Sequence, residues 1–115
     1  MTRLALALPL LLAPALASAL EVAPGRYSAH AEHCDTLGYD GIVTVGPGEL
    51  RFYESGCTLA NERPVRGMEG AVLYDAQCGG EGETWSRRML LVPLLNGGLG
   101  IAQEGSVAAY FRCGE

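Results

Sequence analysis

The sequence predicts a mainly β fold, a single small antiparallel β-barrel or sandwich of about seven or eight short strands stapled by two disulfides. Three observations lead to this prediction. Short apolar runs alternate with glycine-rich turns along the chain. Four cysteines, an even number, occur in a short chain that begins like an exported protein. No stretch after residue 19 sustains the i, i+3, i+4, i+7 apolar spacing of a helix.

The first 19 residues have the three parts of a secretory signal peptide. Arg3 precedes a short apolar stretch over residues 4–16, and the small residues Ala17 and Ala19 follow it. The stretch is shorter than the ~20 residues that span a bilayer, and no cysteine stands at the cleavage point for a lipid anchor. We therefore expect cleavage after Ala19, one domain over residues 20–115, and a periplasmic or secreted location without a membrane span.

Charge and composition disfavour several classes of partner and of chemistry. The 13 acidic residues all lie after residue 19, and removal of Arg3 with the signal peptide leaves seven basic residues, a net charge of −6. Such a surface repels phosphate backbones, so nucleic acid is not an expected partner. The chain has no lysine, which excludes Schiff-base and Ser–Lys catalysis. The arginine-only, alanine- and glycine-rich composition is typical of a GC-rich bacterial genome.

The glycine-rich turns define the strands. Val43 and Val45 lead through Gly46-Pro47-Gly48 into residues 50–53, which predicts a β-hairpin. Further strands are expected at residues 71–78, 85–92 (the longest), 99–102 and 106–113, separated by turns at 79–82, 96–98 and 104–105. An earlier strand is expected at residues 27–34. Residues 58–69 form the longest predicted connection, with room for one helical turn or a short edge strand, limited by Pro64.

The four cysteines allow three disulfide connectivities. If residues 50–57 and 71–78 form adjacent antiparallel strands, Cys57 and Cys78 lie at opposite ends of the pair, too far apart for a disulfide. Two connectivities then remain, and the nearest-neighbour order favours Cys34–Cys57 with Cys78–Cys113. The cysteine spacings contain no C-x₂₋₄-C pair, so a zinc cluster is not predicted.

No catalytic, metal-binding or cofactor-binding constellation is predicted. His30, Glu32 and Cys34 would share one face of a strand and His33 the other, and the helical H-E-x-x-H pattern is absent. The glycine runs at residues 79–82 and 97–100 lack the residues of a phosphate-binding loop. Glu81 and Glu83 could in principle act on a glycoside, but a glycine loop fixes their separation poorly. The sequence therefore predicts a non-enzyme without a cofactor.

The segment around Trp85 is the best candidate for a partner-binding surface. Strand alternation puts Trp85, Arg87 and Met89 on one face. Aromatic and arginine side chains dominate binding hot spots, and the acidic surroundings favour a cationic protein partner. The alternative is structural: Trp85 covers the core while the arginines pair loosely with carboxylates.

In size and organisation the chain is similar to the small exported lysozyme-inhibitor barrels of Gram-negative bacteria, which also place one cysteine-stapled β-domain behind a signal peptide. Ser55-Gly56 resembles part of their inhibitory loop. Thr58 stands where that loop has a tyrosine, and the lysine of their second motif is absent here. The resemblance implies a periplasmic inhibitor of a lysozyme-like hydrolase.

Three classes of function follow from the sequence. The first is an exported, soluble, non-catalytic binding module of the cell envelope, with hydrolase inhibition as a specific alternative. The second is a small hydrolase, in which His30 or His33 would meet acidic residues in a cleft. The third is a ligand carrier with an open barrel interior, a demanding arrangement for 96 residues.

Overall fold

The computed structural model describes residues 20–114, and these form a closed antiparallel barrel of eight strands in which each strand pairs with the next and the last pairs with the first. The predicted fold class is confirmed, and the architecture is a barrel, not a sandwich. The strands are β1 (Gly25–Ser28), β2 (Ile42–Gly46), β3 (Glu49–Arg51), β4 (Gly56–Pro64), β5 (Val72–Gly80), β6 (Glu83–Pro93), β7 (Leu99–Gln103) and β8 (Ser106–Arg112).

Glycine turns connect the strands where the sequence predicted them. Pro47-Gly48 joins β2 to β3 with Gly48 at φ 68°, and Gly105 at φ 80° turns the chain between β7 and β8. This left-handed backbone region is open to glycine without steric penalty, which explains the choice of residue. The predicted longest strand, residues 85–92, is confirmed as the longest one, β6.

The barrel interior is filled by side chains that alternate inward along the strands. Ten buried residues form one core cluster, with Leu50 and Leu99 completely inaccessible at 0% exposure. The members of this cluster are Tyr27, Val43, Leu50, Cys57, Ala76, Cys78, Met89, Leu91, Leu99 and Ile101. Bulky residues therefore occupy most of the inside, as the small size of the domain requires.

The prediction of a connection at residues 58–69 is wrong over its first half. Residues 56–64 form the nine-residue strand β4, and only residues 65–71 form a loop. The register to β5 shifts between Ala60 and Arg63, where Asn61 adopts φ 52°. This bulge breaks the alternation of the sequence, because an extra residue reverses the faces of those that follow.

The predicted strand at residues 27–34 is also wrong beyond Ser28. The Ser28 hydroxyl donates to the carbonyl of His30 at 2.6 Å and accepts from the His30 N–H at 3.2 Å, and residues 31–33 then form one 3₁₀ turn. Local bonds of this kind compete with the strand ladder. His30, Glu32 and Cys34 consequently do not share a strand face.

The disulfides are Cys34–Cys113 and Cys57–Cys78, so the predicted pairing of Cys34 with Cys57 and Cys78 with Cys113 is wrong. The error comes from a turn over residues 52–55, closed by the Phe52 N–H and the Ser55 carbonyl at 2.8 Å. Cys57 therefore lies near the start of β4 and not at the end of the preceding strand. Cys78 lies near the end of β5, and antiparallel pairing sets the two directly opposite, with Cα atoms 3.9 Å apart.

The barrel closes between β1 and β8 over a short seam in which only Tyr27 pairs with Arg112 and Ser28 with Phe111. Arg112 strengthens the seam by donating to the Tyr27 hydroxyl at 2.9 Å, with its guanidinium 5.2 Å from the ring centre. The Cys34–Cys113 disulfide fastens the 3₁₀ segment to the residue after β8. Three kinds of interaction thus compensate for a short ladder.

Within residues 20–114, no helix has the length and apolar character needed to cross a membrane.

We predict that replacing either disulfide by two alanines destabilises the domain, with the larger loss at Cys34–Cys113. The closed loops span 79 and 21 residues, and chain entropy alone then gives losses of about 4.5 and about 3.3 kcal/mol. Denaturant unfolding of the two double variants measures both losses. Non-reducing peptide mapping of the parent protein is the control, and a Cys34–Cys57 peptide would contradict the structure.

Candidate functional site

A cleft of about 310 Å³ opens at the rim of the barrel, where the β5–β6 hairpin meets the turn between β3 and β4. We call it the rim cleft. It combines one aromatic ring with three carboxyl groups, two from separate turns and one from the first residue of β6. Its lining residues are Glu54, Ser55, Gly80, Glu81, Glu83 and Trp85.

Gly80, the last residue of β5, lets the two turns meet. A Cβ atom at this position would overlap the carbonyl oxygen of Glu54 and the backbone and side chain of Ser55. Any larger residue would push the 52–55 turn away from the hairpin. The glycine therefore fixes the distance between Glu54 and the hairpin carboxylates.

The two-residue loop Glu81-Gly82 joins β5 to β6 with both residues in the left-handed region, at φ 50° and 80°. Hairpin loops of this geometry favour Asn, Asp or Gly at the first position. A glutamate there has an unfavourable backbone conformation, a kind of strain that concentrates at functional sites. Glu81 is therefore the residue of the rim cleft least explained by folding alone.

Glu54 and Glu81 interact directly. The pKa of Glu54 is raised above its ordinary value of 4.5, first by a hydrogen bond with the Glu81 side chain and then by the Glu81 charge, with smaller contributions from desolvation and Asp40. A hydrogen bond between two carboxyl groups requires a proton on one of them. Glu54 consequently has a higher proton affinity than an isolated glutamate.

No arginine neutralises the rim cleft in the part of the chain that the structure describes. The two ion pairs between side chains of residues 20–114 both use Asp75, which lies 3.1 Å from Arg63 and 3.4 Å from Arg88. Hydrogen bonds from Asn61 and then Arg63 lower the pKa of Asp75. The negative charge of Asp75 is therefore balanced by arginines, whereas the carboxyl groups of the rim cleft have no such partner among the described residues.

Trp85 forms the aromatic wall of the rim cleft. It pairs across the sheet with Cys78, packs against the core and remains partly exposed. It is also the only tryptophan in the sequence. Its indole can therefore contact a ligand and report on that contact by fluorescence.

The other two residues of the predicted partner-binding surface lie elsewhere. Met89 is 2% exposed within the core, so its assignment to a surface is wrong. Strand β7 pairs with β6 only from Met89 onward, which is where β6 enters the closed part of the barrel. Arg87 is exposed but lines a separate depression with Gln77 and Glu104. The structure thus does not bring Arg87 into the rim cleft.

A second cavity, of about 350 Å³, lies at the opposite end of the barrel. Its walls are mainly apolar. Burial and then the Glu62 charge raise the pKa of Tyr74, whose side chain is one of the walls. The other apolar side chains that line it are Val22, Pro24, Val45, Pro47, Leu59, Val72 and Leu91.

The two histidines lie side by side on the 3₁₀ turn and its N-terminal flank. The His30 and His33 ring centres are 6.0 Å apart, and His33 lies 4.6 Å from the ring of Tyr39. Cys34 is in a disulfide. Among residues 20–114, no three His, Cys, Asp or Glu side chains are grouped to hold a metal ion.

Comparison of the chain with protein-family models, curated proteins and solved structures found no match.

Sequence reasoning placed Trp85 correctly among acidic residues but did not identify Glu54 and Glu81 as its neighbours. Glu54 is 31 residues from Trp85, and only the barrel register brings them together. One local signal was present. Glu81 precedes a glycine between two strand-like runs, a position where a two-residue hairpin loop disfavours glutamate.

We predict that Glu81→Asn stabilises the domain and lowers the pKa of Glu54. Asn tolerates the left-handed backbone, so the free energy of unfolding should rise by about 1 kcal/mol. The pKa of Glu54 is raised in the folded chain, so protonation of Glu54 stabilises the fold at pH values below 4.5. This stabilisation is lost as the pH rises through the folded pKa, and the loss should be smaller in the variant. NMR titration of the Glu54 carboxyl and denaturant unfolding measure both effects.

Glu83→Gln is the matched control, since Glu83 does not contribute to the shift at Glu54. A Glu54 pKa that stays raised in Glu81→Asn would contradict the paired-carboxyl geometry.

Proposed function

We propose that this protein is an exported, non-catalytic binding module of the cell envelope whose rim cleft accepts a cationic side chain of a protein partner. The observation that carries the proposal is the partly exposed Trp85 beside Glu54, Glu81 and Glu83, three carboxyl groups with no arginine within 4 Å among the described residues.

A guanidinium group fits this chemistry in two ways. Its flat face is attracted to the π-system of an indole, an interaction of roughly 0.5–2 kcal/mol. Its N–H groups donate to a carboxylate in parallel, forming a bidentate pair of charge-assisted hydrogen bonds. The ammonium group of lysine cannot form this bidentate pair. An incoming cation would also relieve the repulsion between Glu54 and Glu81, so binding should lower the pKa of Glu54.

The net charge of the mature domain supports the same class of partner. An acidic surface steers a basic protein toward it and raises the association rate at low salt. The hydrolase-inhibitor alternative is compatible with this chemistry, since a cationic lysozyme-like hydrolase would present arginines. Inhibition of such a hydrolase is thus the most specific form of the proposal.

Glycoside hydrolysis is less well supported. A retaining glycosidase needs its two carboxyl groups about 5–5.5 Å apart, and an inverting enzyme needs more. Glu54 interacts with Glu81 through a hydrogen bond that raises its pKa, and both residues are exposed, so the two carboxyl groups do not stand on opposite sides of a bound sugar. The two carboxyl groups are therefore better arranged to bind a cation than to act on a sugar placed between them.

We predict that the triple variant Glu54→Gln, Glu81→Gln, Glu83→Gln binds a cationic probe about tenfold or more weakly than the parent. Each substitution removes a charge from the rim cleft, and tenfold corresponds to about 1.4 kcal/mol. Trp85 fluorescence measures the affinity for a tetra-arginine peptide, and calorimetric titration measures the affinity for a lysozyme. Binding should also weaken as salt is added.

The matched control is Glu32→Gln, Glu62→Gln, Glu104→Gln, which makes the same change in net charge at exposed sites outside the cleft. Equal losses in both variants would mean that the overall charge, and not the cleft, attracts the cation. Absence of binding to both probes would defeat the proposal.

A second candidate function, binding of a short aliphatic ligand, is favoured by the apolar cavity at the other end of the barrel. Its volume of about 350 Å³ lies within the range of small-molecule sites. At this end the ten-residue core leaves room between Val45, Leu59 and Leu91.

We predict that Val45→Phe, which fills this cavity, abolishes binding of a decanoate probe in calorimetric titration. Val107→Phe on the exposed face of β8 is the control and should bind like the parent. Failure of the parent protein to bind decanoate would remove this candidate and leave the rim-cleft proposal unaffected.

A further inference from the structure

The chain is held against the barrel from its first described residue. The Leu20 nitrogen donates to a carboxylate oxygen of Glu69 at 3.2 Å, although 49 positions separate the two residues. Glu69 belongs to the loop between β4 and β5, which is closed by hydrogen bonds from Val65 to Ala71 and from Ala71 to Met68. Leu20 therefore rests on a defined loop.

The neighbouring residue makes room for this contact. Gly70 has φ 80°, and a Cβ atom there would overlap both the carbonyl oxygen of Leu20 and the ring of Pro93. A side chain at this position is excluded by backbone conformation and by space together. Glu69 and Gly70 thus form a notch that fits the backbone of Leu20.

The other end of the segment is fixed independently. The buried Tyr27 donates its hydroxyl to the carbonyl of Ala23 at 2.5 Å, and Arg112 donates to the carbonyl of Pro24 at 3.0 Å. Residues 20–24 are therefore attached at both ends. Between the attachments, Val22 lines the apolar cavity, so the position of this segment sets one of its walls.

The residue that occupies the notch is the one that the export signal predicts as the first of the mature chain. Hydrolysis of the Ala19–Leu20 bond by a signal peptidase breaks the C–N bond and adds water: the Ala19 carbonyl becomes a carboxylate, and the Leu20 nitrogen becomes an amine. Near neutral pH that amine takes up a proton to become an ammonium group. The neutral donor facing Glu69 is replaced by a cation with three donors.

We propose that the notch formed by Glu69 and Gly70 is a binding site for the α-ammonium group released when the Ala19–Leu20 bond is cut. The ion pair forms only in the processed chain, because an amide nitrogen carries no charge. Cleavage then does more than release the domain: it locks residues 20–24 across the open end of the barrel. The inference rests on the predicted cleavage point and is independent of the rim cleft.

The test compares Glu69→Gln in two exported proteins, one from the natural precursor and one from a precursor with a single alanine inserted between Ala19 and Leu20. Intact mass identifies the N-terminus of each. In protein that starts at Leu20, we expect Glu69→Gln to lower the melting temperature by about 2–4 °C, the shift that an exposed ion pair gives in a domain of this size. In protein with the extra alanine the same substitution should change it by less than about 1 °C.

Glu62→Gln is the matched control and should have the same effect in both backgrounds. A second measurement does not depend on stability: the pKa of the Leu20 α-amino group, followed by NMR, should lie above the usual ~7.7–8.0 in the parent and return to it in Glu69→Gln. Three results would each overturn the proposal. They are equal shifts in melting temperature in the two backgrounds, an α-amino pKa that does not change in Glu69→Gln, and a mature N-terminus other than Leu20.

Discussion

Closure of the barrel between its first and last strands is the constraint on which the other features depend. Only two residue pairs form the ladder there, compared with nine between β5 and β6. The Tyr27–Arg112 contact and the Cys34–Cys113 disulfide make up for this by joining the beginning of the domain to its end. Once this seam is closed the sheet has no free edge, and the loops at both ends of the barrel have fixed positions relative to one another. Residues from different loops can therefore form a site.

Each end of the barrel carries a different chemistry for a reason that follows from strand length. β6 has eleven residues, but β7 pairs only with its last five, so its N-terminal half extends beyond that ladder. The resulting rim exposes part of Trp85 and gathers carboxyl groups from two short turns. At the opposite end, the shorter strands and the 65–71 loop leave apolar side chains around a cavity, which the N-terminal segment borders. A cationic side chain and an aliphatic ligand would therefore bind at sites that do not compete for the same residues.

The cysteine pairing illustrates where local reasoning fails. The assumption that residues 50–57 form one strand placed Cys57 at a strand end, whereas the turn at residues 52–55 makes it a strand beginning. Ser55 and Gly56 are common turn residues, so the signal was present but weaker than the apolar run before it. The bulge at Asn61 is harder to foresee, because it depends on the register between β4 and β5.

By itself the sequence determined the fold class, most of the turns and the filling of the core, since glycine positions and alternating apolar residues act over a few neighbours. It also determined that Trp85 would stand in acidic surroundings. Only the tertiary structure decided which acids those are, that Met89 is buried while Arg87 faces a different depression, and that Leu20 meets Glu69. These outcomes depend on barrel register, in which residues tens of positions apart become neighbours, and a shift of one residue would send every side chain to the other face.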